Sequence, residues 1–339
     1  MEISSYINRE VLTLVALALL ISASSYYAML SPGFFFSYQH FHRQDALNNK
    51  TEAFVPGDKL EIALRRASMA NKTVIISVLN KAYAEEGGML DLFLRSFRVG
   101  EGTQPLIRHL FLVTVDQVAF NRCSTMGLHC YRLVTEGVDF SGEELYMSEG
   151  FIKMMWKRTL FLGEVLRRGY SFIFTDMDVL WLRSPFAKLS KEGEDMQFSC
   201  DAYNGRPFDE SNPINTGFYF AAPGNGTVRL FDEWYAARNR SAGKKEQDVL
   251  GEMKAGGAFR RLGMKVRFLD VRHFAGFCRG GGPGEARTMH ANCCRTVKAK
   301  LDDLTLLLDD WVRYNGTTPE SWTQHRACSQ SWNAAVVQP

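Results

Sequence analysis

Two glycine patterns are missing from this chain of 339 residues. No Gly-x-Gly-x-x-Gly follows the first apolar strand, and no Gly-x-x-x-x-Gly-Lys-Ser/Thr occurs anywhere. Both patterns let backbone N–H groups close on phosphates where a helix begins, so their absence argues against a dinucleotide-binding oxidoreductase and a P-loop enzyme. Gly280-Gly281-Gly282-Pro283-Gly284 reads as a flexible loop rather than a phosphate cradle. Neither acidic nor basic residues predominate. The net charge is +3 and no block of like charges occurs, so no nucleic-acid footprint is present. Internal repeats and low-complexity tracts are absent. Among the 7 cysteines there is no Cys-x-x-Cys pair, and Cys293 and Cys294 are adjacent, which makes a zinc site a weak reading. Disulfides fit better. Cys123 and Cys130 can bridge a loop, and Cys278, Cys293, Cys294 and Cys328 crowd the C-terminal third. An oxidising compartment would form two or three bridges and leave one thiol free.

Charged side chains are likewise missing from Val11 to Gln39. About 20 apolar residues span a bilayer, and residues 11–30 meet that length, although Ser22, Ser24 and Ser25 dilute the second half. A cleaved signal peptide and a retained signal anchor compete here. The apolar stretch resumes at Met29-Leu30 and Phe34-Phe35-Phe36, which favours the anchor. The expected organisation is a cytoplasmic tail over 1–10, a transmembrane anchor over 11–30 and a stem over 31–57. A catalytic domain over 58–325 and a C-terminal tail over 326–339 follow. Acceptor sequons for N-glycosylation at Asn49, Asn71, Asn225, Asn239 and Asn315 suit a lumenal body.

What the chain does contain is an alternation of strand and helix. Helical spacing over Lys59–Ala70 is followed by a buried strand, Thr73–Leu79, ending at Asn80. A helix over Gly88–Phe97 then leads to a strand over Leu110–Val115, ending at Asp116, and a helix to about Met126. Next come a strand over Cys130–Val134, a helix over Met154–Arg168 and an apolar run over Phe172–Trp181. This order predicts an α/β fold with a mostly parallel twisted sheet flanked by helices. Asn80 and Asp116 are each either a pocket residue or a turn and helix cap. The run Phe172–Trp181 carries Asp176 and Asp178 one residue apart. Two carboxylates at the end of a parallel strand overlook the crevice where open α/β sheets bind ligands. A hard divalent ion such as Mg2+ or Mn2+ would offset their repulsion, and a diphosphate is its natural second partner. The plainer alternative is a solvated turn.

Four motifs follow one another in a fixed order: Asp176-Met177-Asp178, Asn215-Thr216-Gly217, Glu246-Gln247-Asp248, and Met289-His290-Ala291-Asn292-Cys293-Cys294. Over roughly residues 70–315 this series resembles the plant nucleotide-diphospho-sugar transferase family placed in glycosyltransferase family 77. The resemblance implies a GT-A fold, a single-anchor Golgi membrane protein of type II with a lumenal catalytic domain, and sugar transfer with retention. Its donor would be a UDP-sugar and its acceptor a glycan or glycoprotein. Asp176 and Asp178 match the metal motif that holds Mn2+ (or Mg2+) and the donor, and His290 matches a late metal-completing histidine. Lys298 falls where related folds place a diphosphate-binding lysine. Arg158, opening the helix before the metal strand, could reach the nucleotide. Asn80, Asn215 and Gly217 belong to the expected donor pocket, and Gln247 and Asp248 to the catalytic step beside the anomeric carbon. Asp201 is a further candidate for a sugar hydroxyl or the acceptor. Met177 stands where the family often has alanine and should face the sheet interior or the sugar.

Two rival readings stay open. In a haloacid-dehalogenase-type phosphatase, Asp176 would attack phosphorus and Asp178 would act as general acid. That fold usually opens with this motif, whereas here a long strand–helix alternation precedes it. A GT-A-like scaffold could also bind nucleotide sugar or glycan without turnover. UDP-xylose, a UDP-arabinose form and UDP-galactose all remain open as donors, and neither acceptor nor linkage is encoded legibly.

Overall fold

The computed structural model describes residues 58–134, 140–279, 281–314 and 321–333. The expected anchor and stem fall outside the described residues. Among the described residues no helix is long and apolar enough to cross a membrane. In chain order the elements are α1 Lys59–Ala67, β1 Thr73–Leu79, α2 Met89–Val99, β2 Leu110–Thr114, α3 Gln117–Thr125 and β3 His129–Arg132. They continue with α4 Glu149–Arg167, β4 Ser171–Thr175, β5 Val179–Trp181, β6 Met196–Cys200 and β7 Ile214–Ala221. The rest are α5 Asn225–Ala237, α6 Glu246–Ala255, α7 Ala258–Arg261, β8 Val266–Phe268, β9 Phe274–Gly276, β10 Thr288–His290, α8 Val297–Arg313 and α9 Arg326–Gln330.

A 7-stranded sheet runs in the order β3-β2-β1-β4-β7-β6-β8. β1 to β4 are mutually parallel, as the crossover helices require. β7 runs antiparallel to both β4 and β6, so the sheet is mixed. Side chains alternate across it. Val74, Ile76, Phe172 and Phe174 pack into one core layer, and Ile75, Leu79 and Ile173 into the other. α4 starts earlier than its apolar spacing implies, because Ser148 caps it by accepting from the Phe151 N–H at 3.1 Å.

The apolar run over Phe172–Trp181 is not one strand. It breaks at Asp176-Met177-Asp178, and β5 leaves the large sheet to join a 3-stranded sheet in the order β5-β10-β9. A turn closed by the Val179 N–H on the Asp176 carbonyl (3.2 Å) makes the change of direction. Met177 is buried inside it, packed into the core as its position in an apolar run implies. Trp181 anchors the crossing. It is fully buried, stacks on Phe97 at 4.6 Å and donates from Nε1 to Thr175 Oγ1 at 3.2 Å.

The cysteines form Cys123–Cys130, Cys278–Cys293 and Cys294–Cys328, leaving Cys200 buried and free. Burial pushes the Cys200 thiol up to about 12, which makes it inert. Of the segment expected as a tail over 326–339, the described residues 326–333 are fastened to the body. Its Ala327 and Cys328 N–H groups donate to Asp303 of α8 (3.3 and 2.7 Å), and Cys328 is disulfide-bonded. The glycine loop is also held, since Arg183 Nη1 donates to the carbonyls of Pro283 (2.7 Å) and Ala286 (2.9 Å). Trp181→Ala should lower stability by about 3–5 kcal/mol, read as a drop in urea midpoint against the wild-type chain under non-reducing conditions.

Candidate active site

Two sheets meet at Asp176-Met177-Asp178, and backbone hydrogen bonds fix the segment from both sides. The Asp176 N–H donates to the Gly217 carbonyl on β7 at 2.7 Å, and the Ala291 N–H donates to the Asp178 carbonyl at 3.0 Å. The register of β5 with β10 sets Val179 opposite His290. A histidine more than a hundred residues away in sequence thus lies beside the acidic pair.

Asp176, Asp178 and His290 offer ligand atoms that all lie within 4.8 Å of one another. His290 Nε2 is 3.5 Å from Asp178 Oδ1 and 3.9 Å from Asp176 Oδ2. Each carboxylate gives its other oxygen to a cation: Arg158 Nη1 donates to Asp176 Oδ1 at 2.7 Å, and Lys300 Nζ reaches Asp178 Oδ2 at 2.8 Å. The inward oxygens therefore stay free, and the outward ones orient the carboxylates, as metal sites require. Gly217 forms the floor. A Cβ there would lie 2.3 Å from His290 Cε1, so only glycine admits the imidazole. Two carboxylate oxygens and an imidazole nitrogen suit Mn2+ or Mg2+, with the nitrogen favouring Mn2+.

The electrostatics follow from burial against pairing. Burial would raise Asp178, but Lys300 and then His290 prevail and hold it well below the usual carboxylate range. Asp176 goes the other way: burial raises it, and Arg158 offsets this only in part. Burial opposes the charge on His290, yet Asp178 beside it moves its pKa upward. The same contest at Lys300 ends upward because of Asp178. Arg158 is also raised, burial being outweighed by Asp176 and Glu246.

These groups line a cavity of about 340 Å3. A larger cavity of about 640 Å3 shares Cys293 with it but contains none of the three ligand residues. Arg158 does not open α4 at its solvated end. It sits in the middle of that helix, 5% exposed, over the Phe174 ring, and also donates to Glu246 Oε1 at 2.6 Å. Lys298 does not enter the cavity: it points to solvent and pairs with Asp302 at 2.7 Å. Lys300, two residues on, lines the cavity instead. Asp248 is exposed on α6 and absent from the lining, whereas Glu246 is buried in it, with Oε2 unpartnered among the described residues. Gln247 does line the cavity. Its Oε1 accepts from the Thr216 N–H (2.9 Å), while the Thr216 hydroxyl lies 2.8 Å from Glu246 Oε1 and 3.1 Å from Gln247 Oε1.

Asp201 and Asn215 are also in the lining. Asp201 Oδ1 accepts from Asn215 Nδ2 at 2.7 Å and from Asn292 Nδ2 at 3.0 Å. Asn80 lines the cavity, but its Nδ2 is committed to the carbonyls of Phe140 and Gly142, and its Oδ1 accepts from the Tyr83 N–H. Tyr83 beside it has its phenol pushed up to about 12 by burial. Asp116 is absent from the lining: it caps α3 by accepting from the Ala119 N–H at 2.8 Å, and its other oxygen accepts from the Lys81 N–H at 2.6 Å.

Residues 105–304 match the model of the family described as nucleotide-diphospho-sugar transferase. The chain belongs to this family. An uncharacterized protein of Arabidopsis thaliana is 48% identical over 301 residues, 86% of this chain and 90% of that protein. A UDP-D-xylose:L-fucose alpha-1,3-D-xylosyltransferase of the same plant is 24% identical, over 48% of this chain and 46% of its own. Among solved structures, the galactosyltransferase LgtC in complex with donor and acceptor sugar analogues has a TM-score of 0.42 at 14% identity, covering 73% of this chain and 97% of that one. In this transferase the two lysines of α8 are separable. Lys300→Met should weaken UDP binding by about tenfold or more, while Lys298→Met should leave it within about twofold, both read by calorimetry with Mn2+ present.

Proposed function

We propose that the chain is a metal-dependent, retaining glycosyltransferase that moves a sugar from a UDP-sugar to a glycan or glycoprotein acceptor. The observation that carries this is the convergence of Asp176, Asp178 and His290, each carboxylate steadied by a cation on its far oxygen. Those three residues would hold Mn2+ (or Mg2+), which supplies Lewis-acid stabilisation of the departing diphosphate when bound. Lys300 adds a positive charge on the leaving-group side. The sugar gains oxocarbenium character as its bond to phosphate lengthens.

Gln247 Oε1 accepts from the Thr216 N–H, and as an amide oxygen it is a poor nucleophile toward carbon. Asp248 is directed to solvent. These positions support a front-face displacement. The acceptor oxygen bonds to the anomeric carbon from the side on which UDP departs, the sugar–phosphate bond breaks, and the acceptor proton passes to the leaving diphosphate. The amide nitrogen of Gln247 is free to orient either oxygen. Xylosyl and arabinofuranosyl transfer by relatives makes a pentose donor a natural first test.

A lumenal, membrane-anchored setting of the Golgi type is part of this proposal. It is supported by three disulfides and by exposed sequon asparagines at Asn71, Asn225 and Asn239. The apolar residues 11–30 support it from the sequence side.

Incubating the full chain with UDP-xylose, UDP-arabinose forms and UDP-galactose should reveal metal-dependent release of UDP from at least one. Asp178→Asn should cut that release by roughly a hundredfold with the far-UV spectrum unchanged. Full activity in that variant, or undiminished activity in EDTA, would remove the reading. Mn2+ affinity, followed by calorimetry, should fall as pH is lowered, because His290 holds a proton more tightly than a free imidazole and must release it to bind metal.

A further inference from the structure

At the mouth of the same cavity stand two exposed aromatic rings that the donor chemistry leaves unused. Tyr146 is 38% exposed and Trp332 49%, and both belong to the cavity lining. Their rings meet edge to face with centroids 6.1 Å apart, and Phe151 backs Tyr146 at 5.5 Å. Exposed aromatic rings at the edge of a cavity that also holds several polar groups suit ligand binding.

Both rings are held. Trp332 donates from Nε1 to the Cys293 carbonyl at 2.9 Å, and the Lys245 ammonium lies over the Tyr146 ring at 5.0 Å. The backbone beside each ring is in the left-handed region without being glycine: Met147 has φ 69 and Cys293 has φ 56. Such a conformation persists only where the surroundings impose it.

The anchors also say which end of the cavity the rings serve. Lys245 precedes Glu246 and Gln247, and Cys293 follows Asn292, which donates to Asp201. In the transferase reading these groups serve the sugar, and the nucleotide is assigned to the end of parallel β1 at Asn80 and Tyr83. A ring face with an amphipathic edge suits a partner that is apolar on one side and hydroxylated around its rim. That is the chemistry of a sugar ring, whose axial C–H bonds form an apolar face.

We propose that Tyr146 and Trp332 form the acceptor platform, on which a sugar ring of the incoming glycan stacks. This rests on the transferase reading above and adds to it that the acceptor is recognised as a sugar rather than as a peptide. Stacking on the platform would deliver a hydroxyl toward Gln247, while the donor fills the metal end.

The test uses the full chain with UDP and Mn2+ and a panel of methyl pentosides, methyl hexosides and methyl uronides, followed by saturation-transfer NMR. At least one glycoside should receive saturation on its ring C–H protons when only aromatic protons are irradiated. Trp332→Ala and Tyr146→Ala should each weaken its binding by about tenfold with UDP affinity unchanged, and Trp332→Phe should retain most of it. Unaltered glycoside binding in both alanine variants overturns the platform, which is then a surface covered by the chain's own residues. Lost UDP affinity in those variants also overturns it, assigning the rings to the nucleobase. A wild-type chain that binds UDP but no glycoside refutes the platform alone. Absence of metal-dependent UDP binding refutes the transferase reading beneath it.

Discussion

Two carboxylates share one buried corner of this fold, and that corner governs the placement of everything around it. Asp178 is 4% exposed, and Asp176 stands one residue away. Like charges so placed repel strongly in a medium less polar than water, and removing either from water is itself costly. The structure answers with one cation per carboxylate, each on the oxygen that faces away from its neighbour. Arg158 must therefore lie deep in α4, on the stripe it shares with Met155, Leu162 and Val165. Lys300 must lie on the stripe of α8 that carries Leu304, Leu307 and Trp311. The same requirement draws Glu246 inward to Arg158, Glu246 accepts from the Thr216 hydroxyl, and the Thr216 N–H holds Gln247.

Helix geometry separates what the motifs revealed from what they concealed. Residues two apart on a helix point in nearly opposite directions, whereas residues three or four apart share a face. Lys298 and Lys300 differ by two, and only Lys300 is in phase with the buried leucines. Asp248 and Glu246 also differ by two, and Glu246 is in phase with Val249 and Leu250. The apolar pattern held the signal in both helices, but motif position alone pointed to the solvent-facing residue. The candidate metal ligands carried no such ambiguity, because a turn between strands and a three-residue strand have fewer ways to face. The alternation of β1 to β4 with helices was legible for the reason that buried parallel strands read as short apolar runs. The division at Asp176–Asp178 was not legible, since both halves are equally apolar and only the distant β10 distinguishes them.

The small sheet bearing His290 is short: β5, β9 and β10 are 3 residues each. Strands of that length are marginal unless fastened elsewhere. Cys278–Cys293 closes a loop directly around β10, and Cys294–Cys328 ties the next residue to α9. Constraining such loops disfavours the unfolded chain. The imidazole is thus positioned by covalent staples as much as by strand pairing. Cysteine spacing suggested bridges in this region, and the structure gives them a local purpose beside the metal-ligand candidates.

Charge balance accounts for why this corner is poised to take up a cation. Asp176, Asp178 and Glu246 contribute three negative groups, and Arg158 and Lys300 contribute two positive ones, so one negative charge is left while His290 is neutral. A proton on His290 cancels it, which agrees with the upward shift that Asp178 imposes. A divalent ion in place of that proton overshoots by one positive charge, and a nucleotide diphosphate supplies the missing anions. A proton alone, or an ion together with a diphosphate, answers the same electrostatic condition. The buried carboxylates and their two cations fix that condition before any ligand arrives.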